Sequence, residues 1–125
     1  MGPAFFQRLK HLVDCKIHVR STGTYDPLTR QPVSGRCHGG GLRFGEMERD
    51  SLVAHGGAKY LNEVLFKNSD DYSVPVCVTC GTIPLNLRTC HVCSDKAVIQ
   101  EKNMPYACKV LFQYLTGMGI KVKIY

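Results

Sequence analysis

Hydrophobic side chains recur at helical spacing near the start of the chain. Phe5, Leu9 and Leu12 fall on one side of a helix that Pro3 is suited to open, with Lys16 at its end. The pattern predicts a short amphipathic helix over these residues, followed by a strand over residues 17–20. Residues 21–45 have almost no apolar period, and a stretch that long without a core face is usually functional or disordered.

The helical period returns at Glu46 and predicts a second helix over residues 46–66. Its apolar stripe consists of Met47, Ala54, Ala58, Leu61 and Leu65. The glycine pair at 56–57 falls in the middle, where each Gly costs about 1 kcal/mol relative to Ala. Either another backbone approaches closely at this point or the helix breaks there.

The C-terminal third alternates between extended and helical patterns. A polar turn over residues 68–72 precedes the run 74–76, and residues 97–100 read as a strand. A third helix opens at Pro105, with Gly117 as its expected C-terminal cap. The strict alternation of residues 120–125 predicts a terminal strand, which needs a partner at its open edge. The fold class is therefore α+β, with short helices packed on small sheets.

Composition supports a single small globular domain of 125 residues, 44% of them hydrophobic and 21% charged. No apolar run is long enough to span a bilayer, and no secretory signal is expected at the N-terminus. Four of the seven cysteines form two close pairs. A metal site in an intracellular, reducing compartment explains this spacing better than a disulfide framework.

The two cysteine pairs predict one structural zinc ion. Cys77 and Cys80 form the first Cys-x-x-Cys pair, and Cys90 and Cys93 form the second after nine intervening residues. Four thiolates in this arrangement meet the tetrahedral demand of Zn²⁺ and leave no open position for metal catalysis. The expected module is zinc-ribbon-like, with a tight turn at the glycine after the first pair. Redox use of one pair is the rival reading.

Basic residues dominate the first 45 positions, which hold seven Lys or Arg against two acidic side chains, while residues 46–76 carry a net charge of −3. Arg20, Arg30, Arg36 and Arg43 are interspersed with glycines, which allow close approach to a phosphate backbone. These arginines are candidates for sequence-independent nucleic-acid contact. A solvated, flexible surface loop is the alternative.

Several long motifs resemble one family, the second-largest subunit of multisubunit DNA-directed RNA polymerase. The anchor motif of that subunit is similar to residues 29–36 (TRQPVSGR), 40–50 (GGLRFGEMERD) and 54–56 (AHG). Further similar blocks are residues 6–11 (FQRLKH), 14–20 (DCKIHVR) and 104–113 (MPYACKVLFQ). The cysteine pairs and the GEMERD ending resemble the eukaryotic, archaeal and large-DNA-virus members. The resemblance therefore covers nearly the whole chain.

The resemblance implies a role for each segment. Residues 1–45 would form an arm against the template strand and the RNA–DNA hybrid, with Lys16 and His18 near the active centre. Residues 46–72 would be the anchor helix on the largest subunit, residues 73–103 the zinc-binding clamp module, and residues 104–125 a closing helix and strand. The expected partner contacts are Phe44, Glu46, Met47, Arg49 and Asp50. Cys15 and the pair at 38–39 depart from the family pattern.

The resemblance also implies that this chain contributes no catalytic residue. The family's Mg²⁺-binding aspartates belong to the largest subunit, so the chain would be a non-catalytic part of a nucleotidyltransferase assembly. Its partners would be the largest subunit, the rest of the second-largest subunit, the template DNA and the hybrid, with no membrane. The nucleus, the cytoplasm, a viral factory or a virion would suit it. A free-standing zinc-ribbon nucleic-acid-binding protein, an inactive polymerase fragment and a protein-interaction module are the alternatives.

Overall fold

A computed structural model describes residues 1–86, 88–94 and 96–125. The predicted clamp module, 73–103, contains Leu87 and Asp95, which lie outside the described residues. In the described part, two strands form one antiparallel hairpin, β1 (Asp71–Cys77) and β2 (Ile99–Pro105), with Asp71 opposite Pro105 and Cys77 opposite Ile99. The helices are α1 (Glu46–His55), α2 (Ala58–Asn62) and α3 (Tyr106–Gly117). This architecture confirms the α+β class.

The buried core lies along β1 and at its cysteine end. Val74 and Val76 are completely buried, as alternate residues on one face of a strand, and Cys77 continues this burial to the end of β1. Cys90 is 2% exposed and joins the same cluster. Among the described residues, the buried apolar side chains therefore lie along β1 and where the cysteine pairs meet.

Asp70 ties α3 to the start of β1. Its side chain is 4% exposed, and its carboxylate accepts a 3.0 Å hydrogen bond from the backbone N–H of Ala107. Its backbone carbonyl accepts another from Tyr106 N at 2.9 Å. Two otherwise unpaired donors in the first turn of α3 are thereby satisfied, and the helix is fixed against the hairpin.

The predicted N-terminal helix over residues 5–16 is wrong. The structure has extended chain there and a single 3₁₀ turn, Val13–Cys15, and residues 17–20 form no strand either. Phe5 and Phe6 are 89% and 98% exposed. A helix this short is marginal in water unless its apolar face packs against something, and no described part of the chain covers that face.

The predicted helix over residues 46–66 breaks at the glycine pair, which was one of the two alternatives. α1 ends at His55, and Gly56 takes the left-handed conformation with φ 77°. Gly57 N then bonds to Leu52 O at 3.0 Å, and α2 starts at Ala58 and is followed by a π-helical turn, Glu63–Lys67. The glycines are therefore a helix terminus rather than a notch in a continuous helix.

At the C-terminal end, two details differ from expectation. Gly117 is the last residue of α3, and the left-handed glycine is Gly119, whose following N–H at Ile120 bonds back to Leu115 O at 2.9 Å. This is a Schellman-type helix end located two residues later than predicted. Residues 120–125 form no strand, although Ile124 N donates a 2.8 Å bond to Gly81 O.

Candidate metal centre and basic arm

The four paired cysteines come together at the cysteine end of the hairpin. The sulfur atoms of Cys77, Cys80, Cys90 and Cys93 all lie within 4.8 Å of one another. Sulfurs about 2.3 Å from one tetrahedral zinc stand roughly 3.8 Å apart. The Cys80–Cys90 Sγ separation is 3.5 Å, so only a small rearrangement separates this cluster from a metal-bound geometry. These four side chains can hold one metal ion.

Backbone hydrogen bonds shape the first knuckle. Gly81 N donates to Cys77 O at 2.7 Å, and Cys77 N donates to Thr82 O at 2.9 Å. Gly81 has φ 73°, where a side chain is strained, and a Cβ there would lie 3.1 Å from Ile124 N. The predicted tight turn is therefore present, and the C-terminal tail packs directly on it.

The second knuckle closes in the same manner. Ser94 N donates to Cys90 O at 2.8 Å, and Ser94 itself takes a left-handed conformation with φ 49°. His91 lies in this turn and is exposed. Among the described residues, the metal-ligating group consists of the four cysteines without a histidine.

The thiol pKa values in this cluster are unequal, because each sulfur has different hydrogen-bond partners. Hydrogen bonds from the Thr82 side chain and backbone lower the pKa of Cys80 to about 6. The pKa of Cys93 is raised to about 12, because its thiol hydrogen-bonds to Cys80 and is partly desolvated. Backbone N–H groups of Cys93 and Val92 lower the pKa of Cys90. Four thiols this close ionise together only when a cation compensates their charge.

Thr82 is a member of the site that the sequence analysis did not identify. Its hydroxyl oxygen is 2.9 Å from Cys80 Sγ and 3.7 Å from Cys90 Sγ. The only sequence signal was its place directly after the Cys-x-x-Cys-Gly turn. A threonine there reads as a generic loop residue until its side-chain direction is known.

Arg20 holds the loop of the basic arm (residues 1–45) in shape. Its Nη1 donates to Gly39 O at 2.7 Å and its Nη2 donates to Thr24 O at 3.0 Å. The guanidinium also lies 5.1 Å from the centroid of the Tyr25 ring. The bond to Gly39 joins positions 19 residues apart in sequence, and the bond to Thr24 closes the local turn, so this arginine organises the arm.

His18 also holds this loop, through a side-chain hydrogen bond to a backbone carbonyl. Its Nε2 donates to Gly40 O at 2.5 Å. Gly40 is buried, and a Cβ there would overlap the backbone of Val33 and Ser34. The glycine run therefore allows two backbone segments to touch. Lys16, by contrast, is exposed at the end of the N-terminal 3₁₀ turn.

Arg30 docks the arm on the hairpin and α3. It takes a left-handed conformation with φ 56°, and its guanidinium lies 4.3 Å from the Tyr106 ring centroid and 5.0 Å from that of Tyr72. Lys109 Nζ lies 4.9 Å from the Tyr72 ring centroid and 5.0 Å from that of Tyr106. The rings meet edge to face at 5.1 Å. Cation–π attraction thus connects the arm to the start of β1 and of α3.

Arg36 and Arg43 remain open to solvent. Arg36 lies in the second 3₁₀ turn, Arg36–His38, and Arg43 lies just before α1. Neither side chain forms a hydrogen bond or an ion pair with another described residue. The four predicted arginines therefore fall into two pairs, one engaged within the chain and one available to a partner.

The predicted partner contacts lie at the start of α1. Met47 is 83% exposed, and Phe44 is half-buried just before the helix. Arg49 bonds to Asp50 at 2.6 Å and lies 3.5 Å from Glu46, all on the exposed side. Acidic residues in this first turn also suit the helix dipole.

None of the helices in the described ranges combines the length and the apolar character needed to cross a bilayer.

Comparisons with known proteins cover nearly the whole chain. Two family models match: RNA polymerase Rpb2, domain 6, over residues 1–38, and RNA polymerase Rpb2, domain 7, over residues 40–125. A probable DNA-directed RNA polymerase II subunit RPB2 homolog of Invertebrate iridescent virus 3 is 50% identical over 99% of this chain and 11% of its own length. DNA-directed RNA polymerase II subunit 2 of Arabidopsis thaliana is 53% identical over 96% of this chain and 10% of its own length.

Relatives also include a different polymerase class, since DNA-directed RNA polymerase III subunit RPC2 of Drosophila melanogaster is 46% identical over 98% of this chain. The chain spans about a tenth of the length of the curated relatives it matches. The matched ranges of these relatives cover 96–99% of this chain. The chain therefore belongs to the RNA polymerase Rpb2 family, that of the second-largest subunit, and corresponds to its domains 6 and 7.

Proposed function

We propose that the chain works as part of DNA-directed RNA polymerase, where it holds the template DNA and the RNA–DNA hybrid and anchors the second-largest subunit to the largest one. The observation that carries this proposal is identity near 50% to polymerase subunits over almost every residue. The chain supplies grip and position, while the catalytic aspartates and their Mg²⁺ belong to the largest subunit. Its working compartment is the nucleus or the cytoplasm, including viral factories.

The metal proposed for the four-cysteine site is one structural zinc ion. Four thiolate donors without an oxygen or an open position suit Zn²⁺ better than Mg²⁺ or Ca²⁺, which require oxygen ligands. Within the clamp module, residues 73–103, the ion crosslinks the end of β1 to the second knuckle. Its role is mechanical, because it fastens a hairpin whose own buried core is only a few residues.

Nucleic-acid contact is proposed for the basic arm, residues 1–45, through Arg20, Arg30, Arg36 and Arg43. Arg36 and Arg43 are exposed and make no polar side-chain contact with the other described residues, which supports direct phosphate binding. Arg20 and Arg30 hold the loop that presents them. Lys16 and His18 are proposed to lie near the active centre of the polymerase.

Contact with the largest subunit is proposed for residues 44–50 at the head of the anchor, residues 46–72. Exposed apolar side chains on α1 and in the N-terminal segment support a covered surface, since isolated soluble domains rarely expose so many at once. The terminal segment, residues 104–125, would contact the same assembly through a second surface.

Co-purification with a tagged largest subunit tests this function. The wild-type chain should be retained, and Met47→Glu should reduce retention at least tenfold because it places a charge in the proposed interface. Leu85→Glu is the matched control, since Leu85 is also well exposed but lies between the two cysteine pairs, outside the segments proposed to contact the largest subunit. If the wild-type chain is not retained and binds DNA as a monomer, the free-standing zinc-ribbon alternative replaces the subunit proposal.

A further inference from the structure

The Thr82 hydroxyl points into the four-cysteine cluster rather than toward solvent or backbone. Its oxygen is 2.9 Å from Cys80 Sγ and 3.7 Å from Cys90 Sγ. Within the described ranges, it has no oxygen or nitrogen partner. The direction is set by the backbone, because Cys77 N bonds to Thr82 O at 2.9 Å and Gly81 N closes the preceding turn.

Chemistry decides which way this hydrogen bond runs. A metal-bound cysteine is a thiolate, which accepts hydrogen bonds but has no proton to donate. The Thr82 hydroxyl has one proton and must therefore be the donor. Four thiolates around a divalent ion leave a net charge of −2 in a partly buried site, and a donor aimed at one sulfur disperses part of that charge.

We propose that Thr82 is a positioning residue of the metal centre: its hydroxyl donates to the Cys80 thiolate, orients that ligand and strengthens retention of the ion. This inference rests on the proposed zinc. It assigns Thr82 no bond to the metal. The hydroxyl acts on the metal only through Cys80. Cys90 Sγ, the second sulfur near the hydroxyl, is the alternative acceptor.

The test compares variants of the full chain for zinc affinity by chelator competition. Thr82→Val keeps the shape and removes the donor, and it should bind zinc about tenfold more weakly, at the lower end of the effect expected for outer-shell partners. Thr82→Ser keeps the hydroxyl and should remain within about twofold of wild type. Thr79→Val is the control, because Thr79 is exposed in the same knuckle and makes no hydrogen bond to sulfur among the described contacts.

A spectroscopic measurement separates the hydrogen bond from simple packing. With Co²⁺ in the site, loss of a donor raises the energy of the sulfur lone pairs, so the thiolate-to-cobalt charge-transfer band of Thr82→Val should move to longer wavelength. Thr82→Ser should keep the wild-type band. If Thr82→Val fails to fold, Thr82→Ala against Thr82→Ser isolates the hydroxyl, since these two side chains differ by one oxygen.

Equal zinc affinity and an unshifted band in Thr82→Val would overturn the inference. Equal weakening in Thr82→Val and Thr82→Ser would also overturn it, because packing would then be responsible. Failure of the proposed zinc site looks different: the wild-type chain itself would bind no stoichiometric zinc, and none of the variants would change that result.

Discussion

The cysteine end of the hairpin and the N-terminal arm differ in what holds them together. At the cysteine end, Val76, Cys77 and Cys90 are buried, and backbone bonds close each knuckle. In the arm, Gly40 is the buried residue, and two arginines and a histidine determine the loop through contacts to carbonyls and rings. One region has an internal core and the proposed metal. The other has an internal framework but leaves its apolar side chains without cover.

The cysteine region is stabilised by its own residues, and the arm is not. A four-thiolate metal site contributes folding free energy directly, so a small module built on it is stable with few buried side chains. An arm with exposed Phe5, Phe6 and Leu9 gains nothing comparable from its own residues. We therefore expect its order to depend on surfaces that other chains provide.

The largest expected effect comes from removing a metal ligand. Cys77→Ser should abolish metal binding and remove hydrogen-exchange protection over residues 74–100, because apparent zinc-binding free energies of structural sites reach about 10 kcal/mol or more. Metal analysis together with exchange mass spectrometry measures both. Cys15→Ser is the control, since Cys15 is exposed and far from the cluster in sequence. Retained metal in Cys77→Ser would show that Cys77 is not a ligand. The proposed metal site would then not explain why the cysteine region and the arm differ.

Arg36 and Arg43 test whether the arm binds phosphate. The double variant to Ala should weaken template binding by the assembled polymerase roughly thirtyfold at 0.15 M salt, because each lost phosphate contact lowers the slope of log K against log salt by about 0.9. The salt dependence of complex lifetime measures this. Lys102→Ala, a basic residue of β2, should leave the slope unchanged. An unchanged slope in the double variant would mean that this arm does not bind phosphate.

Gly81→Ala tests the tight turn of the metal region. A left-handed alanine costs about 1–2 kcal/mol, and here its Cβ also crowds Ile124. Thermal unfolding of the metal-loaded chain should therefore shift downward, with increased exchange at the C-terminal tail. Gly117→Ala is the opposite control, because Gly117 is helical with open space around it and should gain about 1 kcal/mol of helix stability. Equal shifts in both variants would contradict the tight-turn account.

Arg30→Ala should have the smallest effect. Removal of its contact with Tyr72 and Tyr106 should weaken docking of the arm on β1 and α3 by about 1 kcal/mol. Exchange protection at the start of β1 and of α3 should fall slightly, while metal content stays unchanged. Arg30→Lys should restore the contact only in part, since the flat guanidinium stacks on the rings whereas an ammonium attracts them only as a point charge. No change in exchange would mean that Arg20 and His18 suffice to hold the arm.

Local chemistry explains which features were predictable from the sequence. The four cysteines were identified because two Cys-x-x-Cys turns are local motifs whose geometry hardly depends on the rest of the fold, and the helix from Glu46 was identified from its period. The predicted N-terminal helix was wrong because periodicity describes a face without saying whether anything covers it. Thr82 and the Arg30–Tyr106 contact were missed because each joins a residue to partners defined only in three dimensions.

The glycines show the same limit on a smaller scale. A Gly pair at 56–57 could mean close packing or a helix end, and the left-handed Gly56 decides for the end. Gly119 instead of Gly117 closes α3, because the hydrogen bond from Ile120 to Leu115 determines the motif. Composition locates such residues approximately, but backbone hydrogen bonds fix which one takes the left-handed conformation.

Hydrogen exchange of the metal-loaded chain, alone and assembled with the largest subunit, tests the central claim most directly. That claim is that the cysteine region is ordered by its own contacts and metal, whereas the arm and α1 require partners. We expect residues 74–77 and 90–93 to be protected both in the isolated chain and in the assembly. Residues 1–20 and 46–55 should be protected only in the assembly. Strong protection of residues 1–20 and 46–55 in the isolated chain would contradict it.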